Sequence, residues 1–378
     1  MTKLNKDSDL TRLREYIKET LPWAHGHQLN GLTTYVAAIL ENQTGCQADL
    51  ARTQGNQEAA CKRLSRLIHN DRLSPKWLAE AIAHQALSQV PDYGKVRFTI
   101  DWTSEGDQHL LTISLVVGRR AVPIYWRAYQ QNVLKGRMHL YERAVIKRAF
   151  KLIFQYVQRS RVRLTADRGF ADEPLFALLH SLRVRFVLRV KGCVKVCHRG
   201  QWRKLNTFGF RGNTRRQTLG RLLYCQKSPR RLWVHQSRAL NKQGQWETWS
   251  LVSNFAQTAD RATREYERRF SCEEGFRDAK WYLGFKKGRV QNIHAWSRLF
   301  ALFALALLAL VTMGTRCLLY GGPATARLLR RVASRRSDRC ELSLVTAMLS
   351  LLQQDESLLA CLLPFTKFKP DTTLENVS

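Results

Sequence analysis

Along residues 8–88 the apolar positions recur at helical spacing, with breaks near Pro22, Gly45, Gly55, Asn70 and Pro75. This region is predicted to be all-helical. Residues 47–70 (QADLARTQGNQEAACKRLSRLIHN) read as a short helix, a glycine turn and a second helix bearing Lys62, Arg63 and Arg66. That is the outline of a helix-turn-helix, whose second helix would enter a major groove, although any small helical bundle gives the same pattern. After Pro91 the period changes. Residues 96–101 (VRFTID) set Val96, Phe98 and Ile100 against Arg97, Thr99 and Asp101, the alternation of a half-buried strand. Residues 110–117 and 121–129 follow at hairpin spacing, which predicts a three-strand antiparallel meander. Leu140, Val145, Ile146, Phe150, Ile153 and Val157 then mark an amphipathic helix over 139–157. A strand over 162–167 (VRLTAD), a short helix over 173–182 and a strand over 185–190 complete the run.

Three strands, a helix, a strand, a helix and a strand make an ordered α/β pattern that one more helix would close. Residues 191–257, rich in turns and short strands, read as a β-rich insertion before that helix. Residues 299–314 (LFALFALALLALVTMG) form an apolar run of sixteen. This is short for a membrane span of about 20 residues, and a helix apolar on every side is more often buried in a protein core. The expectation is therefore no membrane. Beyond lie a basic run at 327–339, an apolar helix at 342–352 and a loose tail at 364–378. The start of the chain has no apolar run, so no secretory signal is expected.

Composition adds a partner. The 378 residues suit two or three domains, and 62 Lys+Arg against 30 Asp+Glu give a net charge of +32, spread along the chain. So basic a surface repels itself unless a polyanion neutralises it. Nucleic acid is the favoured partner, through release of phosphate counterions, with a membrane surface second. Nine cysteines, odd in number and sparse, suggest free thiols in a reducing compartment, hence the cytoplasm. Cys193, Cys197, His198 and Cys225 have irregular spacing for zinc and lack a second paired knuckle.

Candidate chemistry lies where strand ends meet the closing helix. Asp101 ends the first strand, Asp167 ends the fourth, and Glu273 lies within residues 266–280 (YERRFSCEEGFRDAK). In an α/β sheet, adjacent strand ends and an overlying helix can bring such side chains to one point. Three carboxylates suit hard divalent cations such as Mg²⁺, with Mn²⁺ as a substitute. A pair of such ions can support in-line phosphoryl transfer. At about 100° per residue, Tyr266, Arg269, Glu273 and Lys280 share a helical sector of roughly 60°, which selects Glu273 over Glu274 and Asp278. The alternative reading of the segment is a solvated helix laced with charge pairs.

Asp101, Asp167 and Glu273, with Tyr266, Arg269 and Lys280 spaced as Tyr-x2-Arg-x3-Glu-x6-Lys, resemble the DDE transposases of bacterial insertion sequences, in the subgroup with that signature. The resemblance covers residues 96–285 well, the helical N-terminal part loosely and the C-terminal part hardly at all. It implies an RNase H-like mixed sheet in which the three carboxylates bind two Mg²⁺ ions. It also implies that Tyr266, Arg269 and Lys280, and Arg168 with them, contact DNA. An insertion after the fifth strand is a habit of the subgroup, and a Trp there can stack on a flipped base. Trp202, Trp233, Trp246 and Trp249 all qualify by position.

The expected organisation is a helical DNA-binding region (1–90), an RNase H-like core (91–190 and 258–314) interrupted by the insertion (191–257), and a helical C-terminal region (315–378). The expected function is binding, cutting and transfer of the ends of a mobile element, with a homodimer joining the two ends of double-stranded DNA in the bacterial nucleoid. The rivals are a metal-dependent nuclease without strand transfer and a DNA-binding repressor with a decayed core.

Overall fold

The computed structural model describes residues 8–52, 54–241, 243–320, 327–329, 331, 343–353 and 362. Most of the basic run at 327–339 and all of the tail at 364–378 lie outside the described residues. The chain is mixed α/β. Five helices open it: α1 (Ser8–Thr20), α2 (Gly26–Asn42), α3 (Gln47–Arg52), α4 (Gln57–Ile68) and α5 (Pro75–Ser88). Then come β1 (Val96–Glu105), β2 (Gln108–Val117), β3 (Arg120–Gln130), the short α6 (Gln131–Leu134) and α7 (Met138–Ile153). β4 (Val162–Ala166), α8 (Glu173–Ser181) and β5 (Arg185–Val190) follow, in the predicted order. The next stretch holds β6 (Lys195–His198), β7 (Gln201–Lys204), β8 (Arg216–Tyr224), β9 (Arg230–Leu240) and β10 (Trp246–Ser253).

The ten strands form one mixed sheet in the order β3-β2-β1-β4-β5-β10-β9-β8-β6-β7. β1, β4 and β5 run parallel, which requires the crossover connections that α7 and α8 supply. β10 pairs antiparallel with β5, so the strands of the expected insertion extend the sheet.

The chain divides into two compact units. One comprises Lys95–Asp101 and Arg137–Cys272, with β1 up to Asp101, β4 to β10, α7, α8 and the helix α9 (Ala259–Glu267). Its core includes Phe98, Phe150, Phe176 and Phe186, all essentially fully buried.

The other comprises Met1–Gly94, Trp102–Gly136 and Glu273–Ser378. Its centre is α11 (Ile293–Tyr320), of 28 residues, much longer than the apolar run alone predicts. By length and composition α11 can cross a membrane, but 89% of its apolar window is buried inside the protein. The reason is its surroundings, for β3, α2 and α5 pack on it, so every side needs apolar residues. Its polar first turns are used internally. Arg298 donates to the carbonyls of Ile68 (3.0 Å) and Leu73 (2.7 Å) and to Asp71 (2.8 Å), capping the C-terminus of α4. Ser297 accepts from the Trp126 indole at 3.1 Å. A further apolar helix, α12 (Leu344–Leu352), packs on α11.

The predicted helix over 266–280 is not one α-helix. α9 ends at Glu267, α10 (Phe270–Arg277) follows a turn, and Asp278–Tyr282 is π-helical. Bonds from Arg269 N–H to the Tyr266 carbonyl (2.8 Å) and from Cys272 N–H to the Arg269 carbonyl (2.9 Å) tighten the turn. The Leu283 N–H to Asp278 carbonyl bond (2.8 Å) closes the wider π turn. The 100° arithmetic therefore fails on both sides of α10. α10 also lies close to β3, because a Cβ on Gly275 would stand 2.4 Å from the Ala121 carbonyl oxygen. Gly275→Ala gains about 1 kcal/mol of helix propensity against an overpacking cost of about 1–3 kcal/mol. The clash is with a strand backbone that cannot swing aside, so we expect a net loss, read as a lower urea midpoint.

Candidate active site

β1 and β4 pair in parallel from Val96↔Val162 to Ile100↔Ala166. Asp101 and Asp167 are the next positions on the two chains, and neighbouring strands lie about 4.8 Å apart. Sheet pairing alone thus brings two carboxylates side by side. Asp101 does not end its strand as expected. β1 continues to Glu105, where the left-handed Gly106 (φ 55°) turns the chain into β2.

Each aspartate is met by a residue of the Tyr-x2-Arg segment. The Tyr266 hydroxyl donates to Asp167 Oδ1 at 3.1 Å, and Arg269 Nη1 lies 3.2 Å from Asp101 Oδ2. Tyr266 on α9 and Arg269 on the tight turn after it reach Asp167, just past the end of β4, and Asp101, within β1. Tyr266 is fully buried in a cluster with Val187, Trp249, Leu251 and Ala262. Burial raises its pKa well above the ordinary phenol range, Arg269 opposes this and Asp167 adds to it. The phenol is therefore neutral and serves Asp167 as a proton donor. Arg269 is buried too, with its guanidinium 4.9 Å from the Phe270 ring centroid. As folded, Tyr266 and Arg269 hold carboxylates and present no open face to a phosphate.

Glu273 sits in the first turn of α10. The division between the two units falls just before Glu273, as it does just after Asp101. Glu274 and Asp278 have other partners: Glu274 pairs with Arg120 (2.8 Å) and Arg277 (3.0 Å), and Asp278 lies 3.7 Å from Arg120. Lys280, in the π turn, donates to the Ser104 carbonyl at 2.8 Å. Burial lowers its pKa, with Glu105 opposing and Lys286 adding to the shift. Among the described residues, no three His, Cys, Asp or Glu side chains are grouped so as to hold a metal ion. The donor set of Asp101 and Asp167 is nonetheless hard oxygen, and the Arg269 guanidinium already supplies a cation at Asp101.

Comparison of the chain with models of known protein families and with curated proteins finds no match.

The four candidate tryptophans are placed differently. Trp249 is 6% exposed and packs edge-on to Tyr266 at 5.3 Å, with its N–H on Glu247. As folded it is a wall of the Tyr266 cluster, with no face open to a base. Burial of Glu247 opposes ionisation, but the Trp249 N–H and Arg189 outweigh it and hold its pKa below the ordinary carboxylate range. Trp202 and Trp233 are half-buried. Trp246 is 54% exposed, with the Arg215 guanidinium 5.1 Å from its ring centroid. Arg168, next to Asp167, is exposed. Lys62, Arg63 and Arg66 are exposed on α4 while Ala60, Leu64, Leu67 and Ile68 face inward, so α4 presents a basic face. Lys62 also pairs with Glu58 at 2.6 Å.

Sequence reasoning missed that Tyr266 and Arg269 would hold the two aspartates. Part of the signal was available, since their three-residue spacing matches the i→i+3 turn; the register that puts Asp101 beside Asp167 is read from the structure.

Proposed function

We propose that this chain is a DDE-type DNA transposase that cuts the ends of its own mobile element and transfers them to target DNA. The observation that carries the reading is the pair of register-adjacent aspartates, each bonded to a residue of the Tyr-x2-Arg segment. The strand order β3-β2-β1-β4-β5, antiparallel then parallel, supports an RNase H-like core. Asp101, Asp167 and Glu273 would hold Mg²⁺ or Mn²⁺. Bound there, such ions supply Lewis-acid activation of the attacking hydroxyl and stabilise charge on the phosphate. Tyr266 fixes Asp167 in orientation without competing as an anion. Arg269 holds Asp101 in position. The basic face of α4, Arg168 and the net charge of +32 support DNA as the substrate. The reaction joins two ends, so the active complex is a dimer.

The test is incubation of the purified chain and Mg²⁺ with DNA carrying the sequences that flank its own gene. Nicked ends followed by joined products support the transposase. Nicked ends without joining, when target DNA is in excess, place the chain among nucleases.

A further inference from the structure

Trp281 is 65% exposed, the most exposed of the large apolar side chains among the described residues. It stands on the π-helical turn Asp278–Tyr282, beside Tyr282, itself 39% exposed. The turn is anchored from below by Asp278 and Ala279, both buried, and by Leu283, which bonds back to the Asp278 carbonyl. The indole thus projects from a buried base. Lys286 Nζ lies 4.6 Å from its ring centroid, and Lys287 and Arg289, also exposed, follow within three residues.

A single exposed aromatic needs no explanation. Two adjacent ones on a π turn, with three cations within the next eight residues, ask for a ligand with both flat faces and negative charge. A protein partner fits poorly, because interface centres are depleted of charge. An acidic peptide brings charge without a flat face. Duplex DNA brings charge but hides its base faces within the stack. An unpaired DNA strand offers both, a π-face on every base and a phosphate between bases. The ammonium covers one face of Trp281, and the exposure shows that much of the remaining surface is open.

We propose that Trp281 is a stacking platform for an unpaired base of single-stranded DNA, with Lys286 and its basic neighbours on the flanking phosphates. The assignment rests on the DNA-acting function proposed above, where strand cutting and transfer generate unpaired segments. It concerns affinity and requires no catalysis.

The experiment measures binding of the full chain, without divalent cation, to labelled oligothymidine and to a blunt duplex of equal length. Wild type is compared with Trp281→Ala, Trp281→Phe and Lys286→Ala. Trp281→Ala is expected to weaken oligothymidine binding about tenfold or more and duplex binding less than about twofold. Trp281→Phe retains most of the single-strand affinity, and Lys286→Ala lowers it with a shallower salt dependence. The exposure of Trp281 makes misfolding no excuse for a loss. Unchanged single-strand affinity in Trp281→Ala, or equal losses on both DNAs, overturns the platform while leaving the transposase reading standing. Loss of self-association with both DNA affinities intact assigns the patch to a protein interface and also overturns it. Failure of wild type to bind either DNA defeats both readings together.

Discussion

Asp167→Asn is expected to lower the proposed DNA strand cleavage by about 10³-fold or more and to leave DNA affinity within about twofold. The substitution is nearly isosteric, and the amide oxygen can still accept from the Tyr266 hydroxyl, which now lies 3.1 Å from the carboxylate. Packing around Tyr266, Trp249 and Val187 is therefore retained. What is lost is one negative charge and one anionic oxygen that the proposed cation would use. A ligand that places several kcal/mol of charge stabilisation at the phosphate costs about tenfold per 1.4 kcal/mol removed. A milder result is expected of Tyr266→Phe. It keeps the ring and removes only the orienting hydrogen bond, an outer-shell loss of about 10-fold to 100-fold. The check is a single-turnover cleavage time course with binding measured on the same preparations. An ordering in which Tyr266→Phe is the more damaging would show that the phenol, not the carboxylate, is central.

The second large effect concerns stability and pH. Asp278 is 0% exposed, and neither carboxylate oxygen has a hydrogen-bond partner among the described residues. Burial pushes its pKa up to about 7 from 3.8; Arg120 on β3 opposes this, Glu274 on α10 adds to it and Arg277 opposes it. Across that interval the folded chain keeps a proton that the unfolded chain has released. The unfolded state thus binds fewer protons, and stability falls as pH rises. The component lost is on the order of 4 kcal/mol between the two pKa values. A side-chain amide at this position is neutral throughout. Asp278→Asn is therefore expected to be more stable than wild type at neutral pH and nearly equal to it near pH 4. Urea midpoints of both proteins across this range check the difference, in which the titration of all other groups cancels. Parallel curves would mean that Asp278 reaches water or a donor in solution.

The core strands and crossover helices were legible because each obeys one local period. Val96, Phe98 and Ile100 alternate inward, and Val145, Ile146, Ala149, Phe150 and Ile153 line the buried face of α7. That β1 and β4 lie parallel followed from the order in which strands and crossovers alternate, whereas the register that sets Asp101 beside Asp167 is read from the structure. The segment from Tyr266 to Lys280 was misread in shape. No glycine or proline marks the turn at Arg268 and Arg269, or the π turn after Arg277. Their backbone bonds are decided by what Tyr266, Arg269 and Asp278 contact, which is tertiary information. The short strands of residues 191–257 were legible as a group, but the pairing of Trp246–Ser253 with β5 links residues some sixty apart, and no local period records that. The full length of α11 was hidden by Ser297 and Arg298, polar residues that find their partners inside the protein.

In the proposed mechanism Asp101, Asp167 and Glu273 act together on DNA with a divalent cation. The most direct test is cleavage of DNA bearing the element's ends by wild type and by Glu273→Gln, with and without Mg²⁺, and with DNA binding measured in parallel. Cleavage is expected from wild type only with the cation, and from Glu273→Gln not at all, although both bind. Cleavage by Glu273→Gln at the wild-type rate would contradict the mechanism.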